Sequence, residues 1–231
     1  MPKFVVLDMQ KMSFTEENYI KAISMLLRDH EVVTTTALAE ALRTSPASVT
    51  DMAGKLKGKR LILYEKYQGI TLTALGQRAA MLVIRRHRLW ECFLVDKLRF
   101  SWEEVHEIAE ELEHVRSSML TERLSEFLGN PVRDPHGDPI PDAEGKVSRS
   151  ITHTLLTTPV SKKLQVTRVA DQSSSLLKFL HEKGIRLGTQ LDILHHHDFD
   201  HSVEIKIRNQ APLLISEQVA KNVYVTSHGK N

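Results

Sequence analysis

The chain has 231 residues, enough for two or three small domains, each with its own core. With 31 Lys and Arg against 29 Asp and Glu the net charge is +2, so no global field draws it to nucleic acid or to a membrane surface. A single cysteine, Cys92, excludes an intrachain disulfide, and no stretch approaches the roughly 18 apolar residues that span a bilayer. The expectation is a cytoplasmic protein with no membrane partner, in which any nucleic-acid function rests on a local patch.

Residues 13–75 alternate helical patterns and end in a strand pair. SFTEENYIKAISMLLRDH offers Ser13 and Thr15 as caps, followed by Tyr19, Ile20, Ile23, Leu26 and Leu27 at helical spacing. TALAEAL predicts a short helix. RTSPAS predicts a turn and a new helix start at Ser45–Pro46, because proline is tolerated in a first helical turn. LILYEKYQGITLT alternates around Gln68–Gly69, a hairpin signal. Residues 76–129 are read as helical, in two runs separated near Phe100–Ser101. NPVRDPHGDPIPDAEG carries too many breakers for a regular element. After a linker at 148–159, residues 160–231 turn to β, with strands LQVTRVA, QLDILHHH and SVEIKIR and one helix stopped by Gly184.

The stretch Thr36–Ile62 has the form of a helix-turn-helix. The second helix begins with small or polar residues, Ser45, Pro46, Ala47, Ser48, Thr50 and Asp51. Together with Thr36 on the first helix, these suit entry into a major groove, where hydroxyls reach base edges and methyls meet thymine. Lys55, Lys57, Lys59 and Lys66 follow, suited to phosphate contacts from the helix end and a wing. A helical hairpin with a solvated basic face would show a similar pattern.

Residues 106–114 read HEIAEELEH, and from Glu103 to His114 there are six glutamates with no Lys or Arg. At about 100° per residue, His106, Glu110, Glu113 and His114 fall on one helical arc, with Val105, Ile108, Leu112, Val115 and Met119 opposite. An amphipathic helix explains the arc as a wet face. Wet faces usually mix signs, however, and like charges at i,i+4 repel. A divalent cation would turn that repulsion into ligation, and carboxylates with imidazoles suit Mn2+, Fe2+, Co2+ or Zn2+. The zinc-peptidase pattern H-E-x-x-H fails, since Glu110 stands at its second histidine. His87 and Glu91 form a further i,i+4 pair, with Cys92 one residue off that face and assigned to the core. Asp134 and His136 in DPHG, and Asp171–Gln172, are further candidates. In HHHDFDH the alternation of strand residues argues against one metal tract.

In combination these residues resemble the diphtheria-toxin-repressor/manganese-transport-regulator family of metal-dependent transcriptional repressors. TEENYIKAISML is similar to its first helix, and SPASVTDMAGKLKGKRLILYEKYQGITLTALG to its recognition helix and wing. RRHRLWECFLVDKL and VHEIAEELEHVRS resemble its dimerisation and metal-binding helices, and NPVRDPHGDPIP the loop that follows. The resemblance implies an α+β chain: a winged helix-turn-helix domain at 1–75, an all-α dimerisation and metal-binding domain at 76–147, and a small SH3-like, FeoA-like β-barrel at 160–231. It implies two metal sites per subunit for Mn2+ or Fe2+, with Zn2+, Co2+ or Ni2+ substituting in vitro. The primary ligand positions match Asn18, Glu110, Glu113 and His114. The ancillary positions match His87, Glu91 and His106, completed by Asp171 or Gln172, with Asp134 and His136 as further candidates. The sequence departs from the family at Asn18, where Met or Asp is usual, and at Lys21, where the manganese sensor has a ligating Glu. An oxygen-rich set favours Mn2+, and those two departures leave Fe2+ open.

The expected function is a homodimeric repressor that binds palindromic operator DNA once metal is loaded, with no small-molecule substrate and no catalysis. Two rivals are a metal-independent winged-helix regulator, with the acidic helix as surface, and a His/Glu metal-dependent hydrolase. The hydrolase would need an open coordination position and a base, and the sequence offers no dedicated nucleophile.

Overall fold

The structure, a computed structural model, describes residues 12–65, 68–148 and 153–227. Lys66, expected to contact DNA, lies outside them. The chain forms two compact units. The first comprises Met1–Trp90, Glu110–Asn130 and Ile140–Val147; the second comprises Glu91–Ala109, Pro131–Pro139 and Ser148–Asn231.

In the first unit, α1 (Phe14–Leu26) opens with a capping box. The Glu16 amide donates to Ser13 Oγ, and the Ser13 amide donates to the Glu16 carboxylate. α2 (Thr35–Ala41) is capped by Thr34, and α3 (Pro46–Gly58) by Ser45, whose side chain accepts from the Ser48 amide. The turn between them places Arg43 at φ 50. Strands β1 (Ile62–Glu65) and β2 (Gly69–Leu72) pair antiparallel, Ile62 opposite Leu72 and Glu65 opposite Gly69. Val33 bridges to Ile70 through two backbone hydrogen bonds and ties the free edge of β2 to the segment before α2. Ile20, Ile23, Leu38, Val49, Leu56 and Ile70 form the fully buried centre. These are the apolar positions expected from helical and alternating spacing.

α4 (Ala74–Asp96) begins in this unit, and α6 (Ser118–Phe127) lies wholly within it. The second helical run, read as continuous from residue 101 to 129, is in fact two helices. α5 spans Val105–Leu112, and α6 restarts after Ser117, whose hydroxyl accepts from the Leu120 amide. Glu113 and His114 therefore stand in the turn that ends α5. The expected helical arc of His106, Glu110, Glu113 and His114 holds only as far as Leu112, and Val115 and Met119 are exposed rather than core.

The second unit is built on a six-stranded antiparallel sheet of order β3-β8-β4-β5-β6-β7. Its strands are β3 (His153–Thr154), β4 (Ser161–Val169), β5 (Gln190–His196), β6 (Val203–Ile207), β7 (Leu213–Ile215) and β8 (Val223–Ser227). α7 (Ser174–Glu182) and α8 (Glu217–Ala220) accompany it. Leu164, Val166, Ile193, Ile205 and Val225, with Leu177 and Leu180 from α7, make its core. The α+β organisation expected from the sequence is observed. Gly184 ends the α7 region at φ 72, in the expected role.

Candidate metal centre and nucleic-acid interface

Thr36, Ser45, Pro46, Ala47, Ser48, Thr50 and Asp51 are all exposed, while Val49, Ala53 and Leu56 turn inward and hold α3 against the unit. The face offered to solvent is therefore the one expected to read DNA. Lys55 is exposed on the same helix. Lys57 and Lys59 also have internal duties. Lys57 Nζ donates to the Tyr64 carbonyl at 2.9 Å, tying α3 to β1, and Lys59 Nζ lies 2.7 Å from the Glu16 carboxylate. Burial alone would raise the Glu16 carboxyl, but the Lys59 and Ser13 hydrogen bonds, with the charges of Lys59 and Lys55, hold it below its ordinary value.

In the second unit the DPHG loop folds on itself. Asp134 Oδ1 accepts from the amides of His136 at 2.8 Å and Asp138 at 2.9 Å. Gly137, at φ 88, lets the loop lie against β4; a Cβ there would stand 2.1 Å from the Thr167 carbonyl. The loop buries Asp134 and His136 beside Glu91 of α4, and these three residues offer ligand atoms within 4.8 Å of one another.

His136 Nε2 donates to the Trp102 carbonyl at 2.8 Å, which directs its Nδ1 at Glu91 Oε1, 3.6 Å away. At that distance Nδ1 has no hydrogen-bond partner, although it is fully buried. Burial would lower the His136 pKa, yet the Glu91 and Asp134 carboxylates and the Trp102 carbonyl push it up to about 9. A ring held by a backbone carbonyl through one nitrogen, with the other turned to two carboxylates, is the arrangement of a ligating histidine. These residues fit a divalent ion.

His106 Nδ1 lies 3.5 Å from the same Glu91 oxygen. Cys92 is buried; burial, then Asp134, Asp96 and Glu91, raise its pKa, so it stays a thiol and a poor ligand. Asp171 is exposed and accepts from the Ser173 amide at 2.8 Å, and Gln172 Nε2 donates to Asp138 Oδ2 at 3.1 Å.

The first unit holds a different cluster. Glu17 and Lys21, one turn apart on α1, both face inward; Asn18, one residue on, points away into a groove with Thr44, Ser48, Asp51 and Lys55. Lys21 Nζ donates to Glu113 Oε2 at 2.7 Å and Glu110 Oε1 at 3.4 Å, and lies 3.4 Å from His87 Nδ1. His87 Nδ1 is 2.6 Å from the same Glu113 oxygen. His114 Nδ1 is 2.7 Å from Glu17 Oε2, and Arg86 donates to Glu17 Oε1 at 2.9 Å and to the Glu113 carbonyl. Arg116 Nε stands 3.2 Å from Glu17 Oε1. Burial would raise the Glu113 carboxyl, but His87 and Lys21 hold it below its ordinary value. Of the expected primary ligands, Glu110 and Glu113 meet at Lys21, His114 pairs with Glu17, and Asn18 does not join them. Glu17 and Arg86 are partners that sequence reasoning missed. The EE pair at 16–17 was the available signal, since its two carboxylates serve different neighbours.

Family descriptions match nearly the whole chain. "Iron dependent repressor, N-terminal DNA binding domain" matches residues 11–70, "Iron dependent repressor, metal binding and dimerisation domain" residues 73–142, and "FeoA domain" residues 153–227. The chain is 35% identical to the iron-dependent repressor IdeR of Mycobacterium leprae over 127 residues, 55% of each protein, so the match spans little more than half of that relative. It is 28% identical to the diphtheria toxin repressor of Corynebacterium efficiens over 190 residues, 78% of this chain and 83% of that one. Among solved structures, a manganese-dependent transcriptional repressor in complex with manganese is 33% identical, with a TM-score of 0.84, covering 92% of this chain and 99% of that one. ScaR with bound Cd2+ is 32% identical with a TM-score of 0.80, over 92% and 99% of the two chains.

Proposed function

Because this chain belongs to the iron-dependent repressor family, we propose that it is a metal-dependent transcriptional repressor, not an enzyme, which binds palindromic operator DNA as a homodimer. The observation that carries the metal dependence is His136. Its Nε2 is committed to a backbone carbonyl, and its buried Nδ1 faces Glu91 beside Asp134. Glu91, Asp134 and His136 would hold the ion, with His106 adjoining through Glu91. When bound, the ion would neutralise two buried carboxylates and cross-link α4 to the 131–139 loop. Oxygen and imidazole donors with the thiol held back suit Mn2+ or Fe2+.

The exposed face of α3 supports groove reading, and the hairpin β1–β2 supports its role as a wing. Met119, Leu120 and Phe127 are exposed along one side of α6, an apolar stripe of the kind that a second copy covers. Metal favours DNA binding to the extent that it prefers the DNA-competent form, typically about 1–3 kcal/mol per site.

The test is a mobility shift on DNA upstream of the chain's own gene, with Mn2+, with Fe2+ and with chelator. Retardation is expected with metal alone, and its loss in His136→Ala and Glu91→Gln variants that still melt cooperatively. Equal retardation in chelator would overturn the reading.

A further inference from the structure

We propose that Lys21 is the cation of the first unit's Glu/His cluster, and that position 21 decides how many divalent ions the chain holds. The three carboxylates of the cluster, Glu17, Glu110 and Glu113, are each met by a fixed positive charge. Arg86 and Arg116 stand at Glu17, and Lys21 stands at Glu110 and Glu113. With neutral histidines the charges of these six residues cancel.

The donor atoms are committed as well. Glu113 Oε2 is engaged by Lys21 and His87, and Glu110 Oε1 by Lys21. An ion taking Glu110 and Glu113 would have to expel a largely buried ammonium, whose side chain is 10% exposed. The donor set as folded does not fit a divalent ion. Lys21 instead does what such an ion would do: it draws α1, α4 and the end of α5 together around one positive charge. The Glu91–Asp134–His136 group has a different character, for its histidine nitrogen has no hydrogen-bond partner. The chain thus binds one ion tightly, and Lys21 bars the second. The count of one rests on the reading of the second unit given above.

Calorimetric titration of the chelator-stripped full chain with Mn2+ separates the two claims. Expected stoichiometries are one for the unaltered chain, none for His136→Ala, two for Lys21→Glu, and one for Lys21→Glu combined with His136→Ala. Tight binding of one equivalent by the His136→Ala chain that vanishes on adding Glu113→Gln would overturn the role of Lys21. One equivalent in the Lys21→Glu/His136→Ala chain, beside an undiminished equivalent in His136→Ala that ignores Glu113→Gln, would overturn only the assignment of the second-unit ligands. If Lys21→Glu does not fold, Glu113→Gln alone decides. Unchanged Mn2+ stoichiometry supports the proposal, and loss of one equivalent sinks it.

Discussion

Replacing Lys21 by Met keeps the length of the side chain and removes its charge. Lys21 Nζ lies 2.7 Å from Glu113 Oε2, and the Glu113 side chain is 1% exposed. At an effective dielectric constant of about 20 this contact is worth about 6 kcal/mol of Coulomb energy, before the cost of taking both ions out of water. Breaking a buried pair by removing one partner typically costs about 3–5 kcal/mol, because the other charge is stranded. His87 Nδ1 remains 2.6 Å from the same oxygen and can keep Glu113 partly satisfied, so the lower end, about 3 kcal/mol, is expected. At roughly 2–4 °C per kcal/mol, this lowers the Tm in chelator by about 6–12 °C. Far-UV circular dichroism of Lys21→Met, Glu113→Gln and the double variant completes a double-mutant cycle, and a coupling of about 2–3 kcal/mol is expected. A coupling below about 0.5 kcal/mol would mean that the ammonium is a bystander, and the argument for an internal cation would fail.

Gly137→Ala combines a φ of 88 with a Cβ placed 2.1 Å from the Thr167 carbonyl; it should cost about 3 kcal/mol or more and weaken Mn2+ binding, read by melting and calorimetry. Wild-type Mn2+ affinity with weakened folding would detach the loop from the ion. The His136 pKa is raised from 6.5 to about 9, so in the ion-free chain its bound proton adds stability below about pH 6.5 that is lost as pH rises through 9. An ion at Nδ1 must displace that proton, so Mn2+ affinity should rise up to about tenfold per pH unit between roughly pH 7 and 9, and a flat profile by calorimetry would contradict it. Lys55→Ala removes an exposed charge from α3 and should weaken binding to all DNA sequences alike, lowering the salt slope by about 1; a change of sequence preference instead would give Lys55 a base contact.

The helix-turn-helix and the hairpin were legible because their signals are local. Ser45 caps α3 where Ser-Pro announced a helix start, and Gln68–Gly69 marked the hairpin turn. The break between α5 and α6 was not legible. EHVRSS contains neither glycine nor proline, and it ends α5 where Glu113 and the Arg86 side chain meet, a long-range contact. The same limit applies to the candidate sites. Residue types and spacing pointed to Glu91, Glu110, Glu113, His114 and His136, but which face of α1 turns inward is set by packing around Ile20 and Ile23. That one-residue difference in rotation puts Glu17 and Lys21 in the cluster and leaves Asn18 at the groove. Nor can spacing show that His136 is held by a carbonyl 34 residues earlier in the chain.

Among the described residues the outermost strands of the C-terminal sheet are β3, with two residues, and β7, with three. Borders this short give a foreign strand almost nothing to add to, so growth by sheet extension is discouraged at both flanks. If copies pair as proposed, helical surfaces such as that of α6 are the ones left to do it, on the same unit that carries α3.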